Sequence, residues 1–109
     1  MNRIIKFRGK SIHTGEWHYG DLVQPSNNAY FIQERGTAGF FSIPDTIGQF
    51  TGLFDKKGKE IYDGDILQWN NRRITVEWNN YECGWNIVEY GIHKYEVIGN
   101  IHDNPELIY

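Results

Sequence analysis

The sequence is poor in several kinds of residue, and each scarcity excludes a class of protein. Cys83 is the only cysteine among 109 residues, which excludes an internal disulfide and a multi-cysteine zinc site. Apolar residues occur in short runs, too short for a membrane-spanning helix or for the apolar segment of a secretory leader. A lone thiol without a leader favours a reducing compartment. We therefore expect a cytoplasmic protein that does not bind a membrane.

Positive charge is scarce as well. Eleven basic and fourteen acidic residues give a net charge of −3, whereas proteins that bind duplex nucleic acid usually carry clustered Lys and Arg. The first ten residues are the exception, with four cations and no acid. We interpret Lys6, Arg8 and Lys10 as the solvent face of an alternating edge strand, where charge prevents aggregation. A short edge that contacts phosphate groups is the alternative interpretation.

What the sequence does contain is a series of short alternating segments separated by Gly, Pro, Asn and Asp. Successive strands with short polar turns predict a mainly β fold, either a small antiparallel barrel or strongly curled sheets, with at most short helical turns. In the second half, residues 62–66 open an alternating segment in the manner of an SH3-like barrel. The chain is expected to form one domain over residues 1–109, or two lobes. These would be an N-terminal β lobe at 1–54 and an SH3-like lobe at 55–109.

Individual glycines and aspartates mark the expected turns. Gly58 is suited to a positive φ at the tip of a hairpin, and Gly20 is expected to separate two short strands. Gly99 predicts a bulge or a close backbone contact within the last strand. Asp63 and Asp65 are interpreted as turn acids that accept backbone N–H groups, because the ligand spacing of an EF-hand is absent.

Alternation in the second half also assigns side chains to an inner face. Ile74, Val76 and Trp78 share one side of a strand and are expected to be buried. Tyr81 falls in the loop that follows, and residues 85–90 are expected to form the next strand. Trp78 is thus predicted to be a core residue.

No local motif indicates catalysis. The four histidines lack the spacing of a helical metal site, and no serine lies in a Gly-x-Ser-x-Gly elbow. Cys83 follows Glu82, whose negative charge opposes formation of the thiolate that a nucleophile requires. We therefore expect a protein that is not an enzyme and that holds no cofactor and no metal.

Three blocks of the sequence occur together in one known family. The first is KFRGK at residues 6–10, followed by GEW at 15–17 and YG at 19–20. The second is GQFTGL at 48–53 with DKKGKEIYDGDI at 55–66, and the third is YEVIGNIHDNPEL at 95–107. In these blocks the chain resembles the YopX-like proteins of bacteriophages and prophages. The resemblance implies a compact, mainly β protein in the bacterial host cell, and it implies no catalytic residue.

Aromatic residues are the best candidates for a binding surface, because exposed aromatics concentrate binding energy. The candidate surface combines such residues with two neighbouring arginines: Trp17, Tyr19, Tyr81, Trp85, Arg72 and Arg73. The leading hypothesis is a non-catalytic binding or adaptor protein for an unknown host or phage protein, with a homo-oligomer left open. The alternative is a single-strand nucleic-acid accessory protein, in which the arginines and the basic first strand flank a groove. The acidic balance disfavours nucleic acid.

Overall fold

A computed structural model describes residues 4–87 and 89–108, with side chains at all of them except 89 and 90. Arg3 of the basic N-terminal set and Val88 of the expected strand at 85–90 lie outside the described residues. The chain divides into two compact units, Met1–Phe50 and Thr51–Tyr109, which we call unit 1 and unit 2. None of the described helices is long and apolar enough to cross a membrane.

Unit 1 is an antiparallel sheet that curls back on itself. Its elements are β1 (Phe7–Lys10), β2 (Trp17–Ser26), β3 (Ala29–Gln33), β4 (Phe40–Ser42), a 3-10 turn (Pro44–Thr46) and the start of β5 (Gly48–Phe54). The strands pair in the order β4-β3-β2-β1-β5. Ser42 of β4 also bridges to Ser11, and Ile43 donates its N–H to the Lys10 carbonyl at 2.8 Å. β4 thereby returns to the end of β1, which produces the curl.

The expected break at Gly20 is wrong, because β2 runs without interruption from Trp17 to Ser26. Gly20 is paired with Phe7 of β1. The backbone of Gln33 approaches Gly20 so closely that a Cβ atom would meet the Gln33 carbonyl carbon at 2.9 Å. A close backbone contact, and not a turn, therefore requires glycine here.

The expectation that Arg8 lies on a solvent face is also wrong. Arg8 is only 5% exposed, and its guanidinium carbon lies 4.8 Å from the centre of the Trp17 ring. The Lys10 ammonium lies 5.9 Å from the centre of the same ring. A guanidinium is planar and weakly hydrated, so it is more readily buried against an aromatic face than an ammonium group is. The cations of β1 thus contribute to packing within unit 1.

Unit 2 is built around the central strand of a three-stranded sheet. After the end of β5, its elements are β6 (Glu60–Tyr62), β7 (Asp65–Trp69), β8 (Arg72–Thr75), β9 (Trp78–Asn79), β10 (Gly84–Trp85), α1 (Glu89–Ile92), β11 (Glu96–Asn100) and a 3-10 turn (Pro105–Ile108). β7 lies between β11 and β8, and β9 pairs with β10 in a separate hairpin. The core of the unit consists of buried aliphatic side chains: Ile61, Leu67, Val76, Ile87 and Ile92.

The turn between β5 and β6 is held by the carboxylate of Asp55. The N–H groups of Lys57 and Lys59 donate to its Oδ1 at 2.8 and 2.9 Å, and the N–H of Val97 in β11 donates to Oδ2 at 2.9 Å. Burial alone would raise the pKa of Asp55, but these backbone hydrogen bonds together hold the pKa below its ordinary value of 3.8. Gly58 at the tip has a φ of 81°, which confirms the predicted hairpin tip.

The prediction of a mainly β fold is confirmed. The described strands form several antiparallel sheets with short helical turns, and the sheets of the described residues do not close into a barrel. The predicted irregularity at Gly99 is also confirmed, since the ladder between β7 and β11 shifts its register between Val97 and Gly99. A Cβ atom at Gly99 would lie 2.5 Å from Oδ1 of Asn104, so the close contact at this residue is with a side chain and not with another backbone segment.

The expected strand over residues 85–90 is wrong. β10 ends at Trp85, and the chain turns into the single helical turn α1. Beyond the end of β10, the side-chain Oδ1 of Asn86 accepts the backbone N–H of Glu77 at 2.9 Å, in place of a backbone carbonyl. The turn allows Ile87 and Ile92 to enter the same core. In a straight strand, residues five apart would point to opposite faces.

Candidate binding surface

Tyr81, an aromatic residue of unit 2 that is 100% exposed, lies on a hairpin that also carries two tryptophans. Trp78 in β9 is opposite Trp85 in β10, and their rings meet edge to face with 5.3 Å between centroids and 82° between planes. Trp85 is half-buried against the core, whereas Trp78 is 46% exposed and Tyr81 in the connecting loop is 100% exposed. We call this segment, residues 78–85, the Trp78 hairpin.

Hydrogen bonds fix the shape of the Trp78 hairpin. Oδ1 of Asn79 accepts two backbone N–H groups of the loop, including that of Tyr81 at 2.9 Å. Cys83 adopts a φ of 53°, in the left-handed region, and reverses the chain toward β10. At the base, Asn86 accepts the N–H of Glu77 on its side chain and donates its own N–H to the Glu77 carbonyl at 3.0 Å. A loop held in this way loses less conformational entropy on binding than a free loop.

A concave site of unit 2 lies between Trp69, at the end of β7, and Tyr95, just before β11. The two rings meet edge to face with 5.8 Å between centroids, beside a cavity of about 330 Å³. Arg72 is directly opposite Trp69 in the β7–β8 pair, and the Lys94 ammonium lies 5.0 Å from the centre of the Trp69 ring. The other described lining residues are uncharged: Ile74, Asn86, Ile87, Gly91, Ile92 and Tyr95. We call this cavity the Trp69 groove.

Two of the predicted surface residues, Trp17 and Tyr19, lie in β2 of unit 1. Trp17 is half-buried, and the Arg8 and Lys10 cations cover its ring, so its indole face is already in use. Tyr19 is 42% exposed and lines a cavity of about 410 Å³ together with Lys6. Only Tyr19 of this pair therefore offers an aromatic surface to another molecule.

The two predicted arginines of β8 do not form a common basic patch. Both are exposed, but successive residues of a strand point to opposite faces. Arg72 lines the Trp69 groove. Arg73 donates from Nε to Gln68 at 2.8 Å and from Nη1 to the Leu107 carbonyl at 3.2 Å. Arg72 and Arg73 thus contribute to different surfaces of unit 2.

The side chains of these surfaces offer aromatic packing and positive charge. Among the residues that the structure describes, no three His, Cys, Asp or Glu side chains form a group that could hold a metal ion. The Trp78 hairpin offers aromatic faces and edges, and the Trp69 groove adds two cations to an apolar wall. Aromatic rings attract apolar groups and cations, and Arg and Lys attract anions.

Comparison with known proteins assigns the chain to a family. A family model described as YopX protein matches residues 6–109. The chain belongs to the YopX protein family. The resemblance indicated by the sequence blocks at 6–107 is thereby confirmed. A crystal structure of protein EF1440 from Enterococcus faecalis is similar to this YopX family chain, with 28% sequence identity and a TM-score of 0.58 over 99% of this chain and 100% of that one. No curated protein matches the sequence.

Several residues of the sequence blocks that indicate the YopX family have structural roles. Asp55 holds a turn, and Oδ2 of Asp65 accepts the N–H of Tyr62 at 2.8 Å, which confirms Asp65 as a turn acid. Oδ1 of Asn104 accepts the N–H of Asn100 at 3.2 Å. The Trp78 hairpin lies outside those blocks. These residues of the family blocks stabilise turns of the fold, whereas the function has to be argued from surface geometry.

The sequence assigns Tyr81 and Trp85 to the candidate surface, whereas alternation places Trp78 in the core. Val76 is buried as predicted, at 1% exposure, whereas Trp78 is 46% exposed. β8 ends at Thr75, so Trp78 begins a new strand and does not continue the earlier alternation. The Trp69 groove has no local sequence signal, because its residues come from the ends of separate elements.

Proposed function

We propose that this YopX family member is a non-catalytic binding protein that engages another protein through the Trp78 hairpin. In keeping with the phage setting that the sequence resemblance implies, the partner is a phage or host protein in the bacterial cytoplasm. The observation that carries the proposal is Tyr81, a large aromatic side chain that is 100% exposed on a loop held by hydrogen bonds. Burying such a side chain gains apolar contact area at a small entropic cost.

The neighbouring residues support this role. Trp78 is 46% exposed beside Tyr81, and its ring is held edge to face against Trp85. Trp85 in turn packs against the core of unit 2, so the aromatic pair is anchored to the folded unit. Aromatic residues at the centre of interfaces dominate binding energy when neighbouring groups exclude water. The hairpin thus supplies a preformed aromatic centre.

Replacing Tyr81 with a photoreactive benzoylphenylalanine is expected to crosslink one discrete protein in lysate of the bacterium that carries the gene. Against that protein, once purified, Tyr81→Ala is expected to weaken binding at least about tenfold in calorimetry, because an anchor side chain is lost. Tyr81 is fully exposed, so its truncation leaves the fold intact. Circular dichroism checks this.

Two matched positions serve as controls for the hairpin. The photoreactive residue at Lys59, an exposed position in another turn of unit 2, is expected to yield no such crosslink. Phe54→Ala removes an aromatic side chain that is 48% exposed elsewhere in unit 2, and affinity is expected to stay within about twofold. Equal crosslinking from both positions, or equal affinity of Tyr81→Ala and the native protein, would refute the proposal.

Single-strand nucleic-acid binding is the second candidate, favoured by the cations beside Trp69, since bases stack on aromatic rings within basic grooves. Unit 2 carries six basic and ten acidic residues, a net charge of −4, which opposes a polyanion. We expect no saturable binding of fluorescein-labelled oligothymidylate in anisotropy titrations. Saturable binding that weakens steeply between low and physiological salt would instead establish this candidate.

A further inference from the structure

The Trp69 groove is a second site on unit 2, distinct from the exposed face of the Trp78 hairpin. Its wall is apolar, and its volume of about 330 Å³ lies near the lower end of the range for ligand sites. We propose that the groove binds an extended peptide segment of a partner protein that carries an apolar anchor side chain flanked by carboxylates. This inference rests on the proposed binding role and names the chemistry of the partner.

The two charged residues that line the groove determine which charge a bound ligand should carry. Arg72 and Lys94 are the charged groups among the described lining residues, and both are cations. Neither forms a salt bridge with a described side chain. Arg72 lies opposite Trp69 on the neighbouring strand, and the Lys94 ammonium lies over the Trp69 ring, so cations from two separate elements border the same aromatic wall. Carboxylates next to an apolar anchor side chain complement this charge.

Trp69 and Tyr95 determine which type of side chain the groove accommodates. Trp69 and Tyr95 meet edge to face and both line the cavity, where the Lys94 ammonium already lies over the Trp69 ring. A third apolar group in the cavity would therefore pack against Tyr95 and the aliphatic wall. Ile74 and Ile92 extend the apolar wall. A phenylalanine or leucine side chain fits such a surface, whereas a fully polar segment would leave the wall exposed to water.

A peptide is favoured over nucleic acid by the number and distribution of charges. Nucleic-acid grooves follow the backbone with a series of cations, whereas the described residues that line this groove include two. The rest of unit 2 is acidic, with a net charge of −4 for the whole unit. Two cations can pair with one or two carboxylates, but a longer polyanion would meet repulsion beyond the groove.

The test is a nuclear magnetic resonance titration of the full ¹⁵N-labelled chain with three capped tripeptides, Ac-Glu-Phe-Glu-NH₂, Ac-Gln-Phe-Gln-NH₂ and Ac-Lys-Phe-Lys-NH₂, and with a trithymidylate. The indole N–H signal of Trp69, assigned with a Trp69→Phe variant, reports the groove. We expect this signal to shift to saturation with the glutamate peptide, at an affinity at least about tenfold higher than with the lysine peptide, because two charge contacts change sign.

Variants identify the residues responsible. The double variant Arg72→Gln/Lys94→Gln is expected to bind the glutamate peptide no more tightly than the glutamine peptide. Arg73→Gln, on the opposite face of the same strand, is expected to leave the titration unchanged. The dispersion of the amide signals checks that each variant is folded.

The proposal is overturned if no peptide shifts the Trp69 signal, if the lysine peptide binds as tightly as the glutamate peptide, or if the double variant behaves as the native chain. Saturation by trithymidylate in preference to the peptides would overturn it in favour of nucleic acid. The Tyr81→Ala variant is expected to bind the glutamate peptide normally. The peptide titration tests the Trp69 groove and does not depend on Tyr81. The crosslinking experiment tests the Trp78 hairpin and does not use the tripeptides. A negative result in one experiment therefore leaves the other proposal unaffected.

Discussion

Replacing Asp55 with alanine is expected to lower the free energy of unfolding by about 4 kcal/mol, a large part of the stability of a chain of this size. Asp55 is 6% exposed, and its carboxylate accepts the backbone N–H groups of Lys57, Lys59 and Val97. Alanine would leave these three donors, which lie in part-buried surroundings, without their acceptor. Urea denaturation followed by circular dichroism measures the loss.

Two further variants separate the role of the carboxylate from a general effect of substitution. Asp55→Asn is isosteric and retains one oxygen acceptor, but an amide NH₂ group replaces the oxygen that faces Val97 or the oxygen that faces the turn. Its loss is expected to be about half that of alanine. Asp21→Ala, at an exposed aspartate, is expected to change stability by about 0.5 kcal/mol or less. An Asp55→Ala loss as small as that of Asp21→Ala would contradict the assigned role.

The same carboxylate gives stability a defined dependence on acid. Because the pKa of Asp55 is lower in the folded chain than its ordinary value of 3.8, the unfolded chain binds the proton more readily. The contribution of Asp55 is therefore fully present above pH 3.8 and is lost as the pH falls through the lower folded value. Denaturation curves at several pH values should show that Asp55→Asn loses less stability on acidification than the native chain. A parallel decline in both proteins would assign the acid sensitivity to other carboxylates.

In the Asp55 turn, the sequence predicts those features that depend only on neighbouring residues. Gly58 can be assigned to a positive φ, because glycine adopts it without steric cost in a short polar turn. The contact between Asp55 and Val97 joins residues 42 apart, and no local pattern contains it. The same distinction holds at Gly99, where the type of residue predicts a bulge, but its contact with Asn104 requires the folded chain.

In the candidate site, too, the sequence predicts the features that depend on local residues and not those that depend on long-range contacts. Tyr81 can be predicted as exposed because it lies among loop residues, whereas Trp78 cannot, since the alternation that buries Val76 stops before it. The Trp69 groove depends on the strand order β11-β7-β8, which brings Lys94 and Tyr95 beside Trp69. Alternation along a strand predicts the face of the sheet on which a side chain lies. It does not predict which residues of adjacent strands lie beside that side chain, because strand order depends on long-range pairing.

Gly20→Ala is expected to destabilise the chain by about 3 kcal/mol, as an overpacked position does when the obstructing atoms cannot move aside. A Cβ atom at this position would overlap the carbonyl oxygen of Gln33 and lie 2.9 Å from its carbonyl carbon. Both are backbone atoms of Gln33 in β3, the residue that pairs with Asp21, the neighbour of Gly20 in β2. Relief of the overlap would therefore require separation of β2 from β3 and loss of ladder hydrogen bonds. Thermal and urea denaturation measure the effect.

Gly84→Ala provides the matched control, since it adds the same methyl group to a strand glycine in open surroundings. The nearest atom to a Cβ at Gly84 is the Glu82 carbonyl oxygen at 3.8 Å, and the φ of Gly84 lies outside the left-handed region. Alanine is therefore expected to be neutral or to stabilise by about 0.5 kcal/mol, because it restricts the unfolded chain. If both variants unfolded at the same urea concentration as the native chain, the close approach of Gln33 to Gly20 would not determine the strand pairing. A loss confined to Gly20→Ala would show that a glycine in the middle of a strand is needed here for backbone contact and not for a turn.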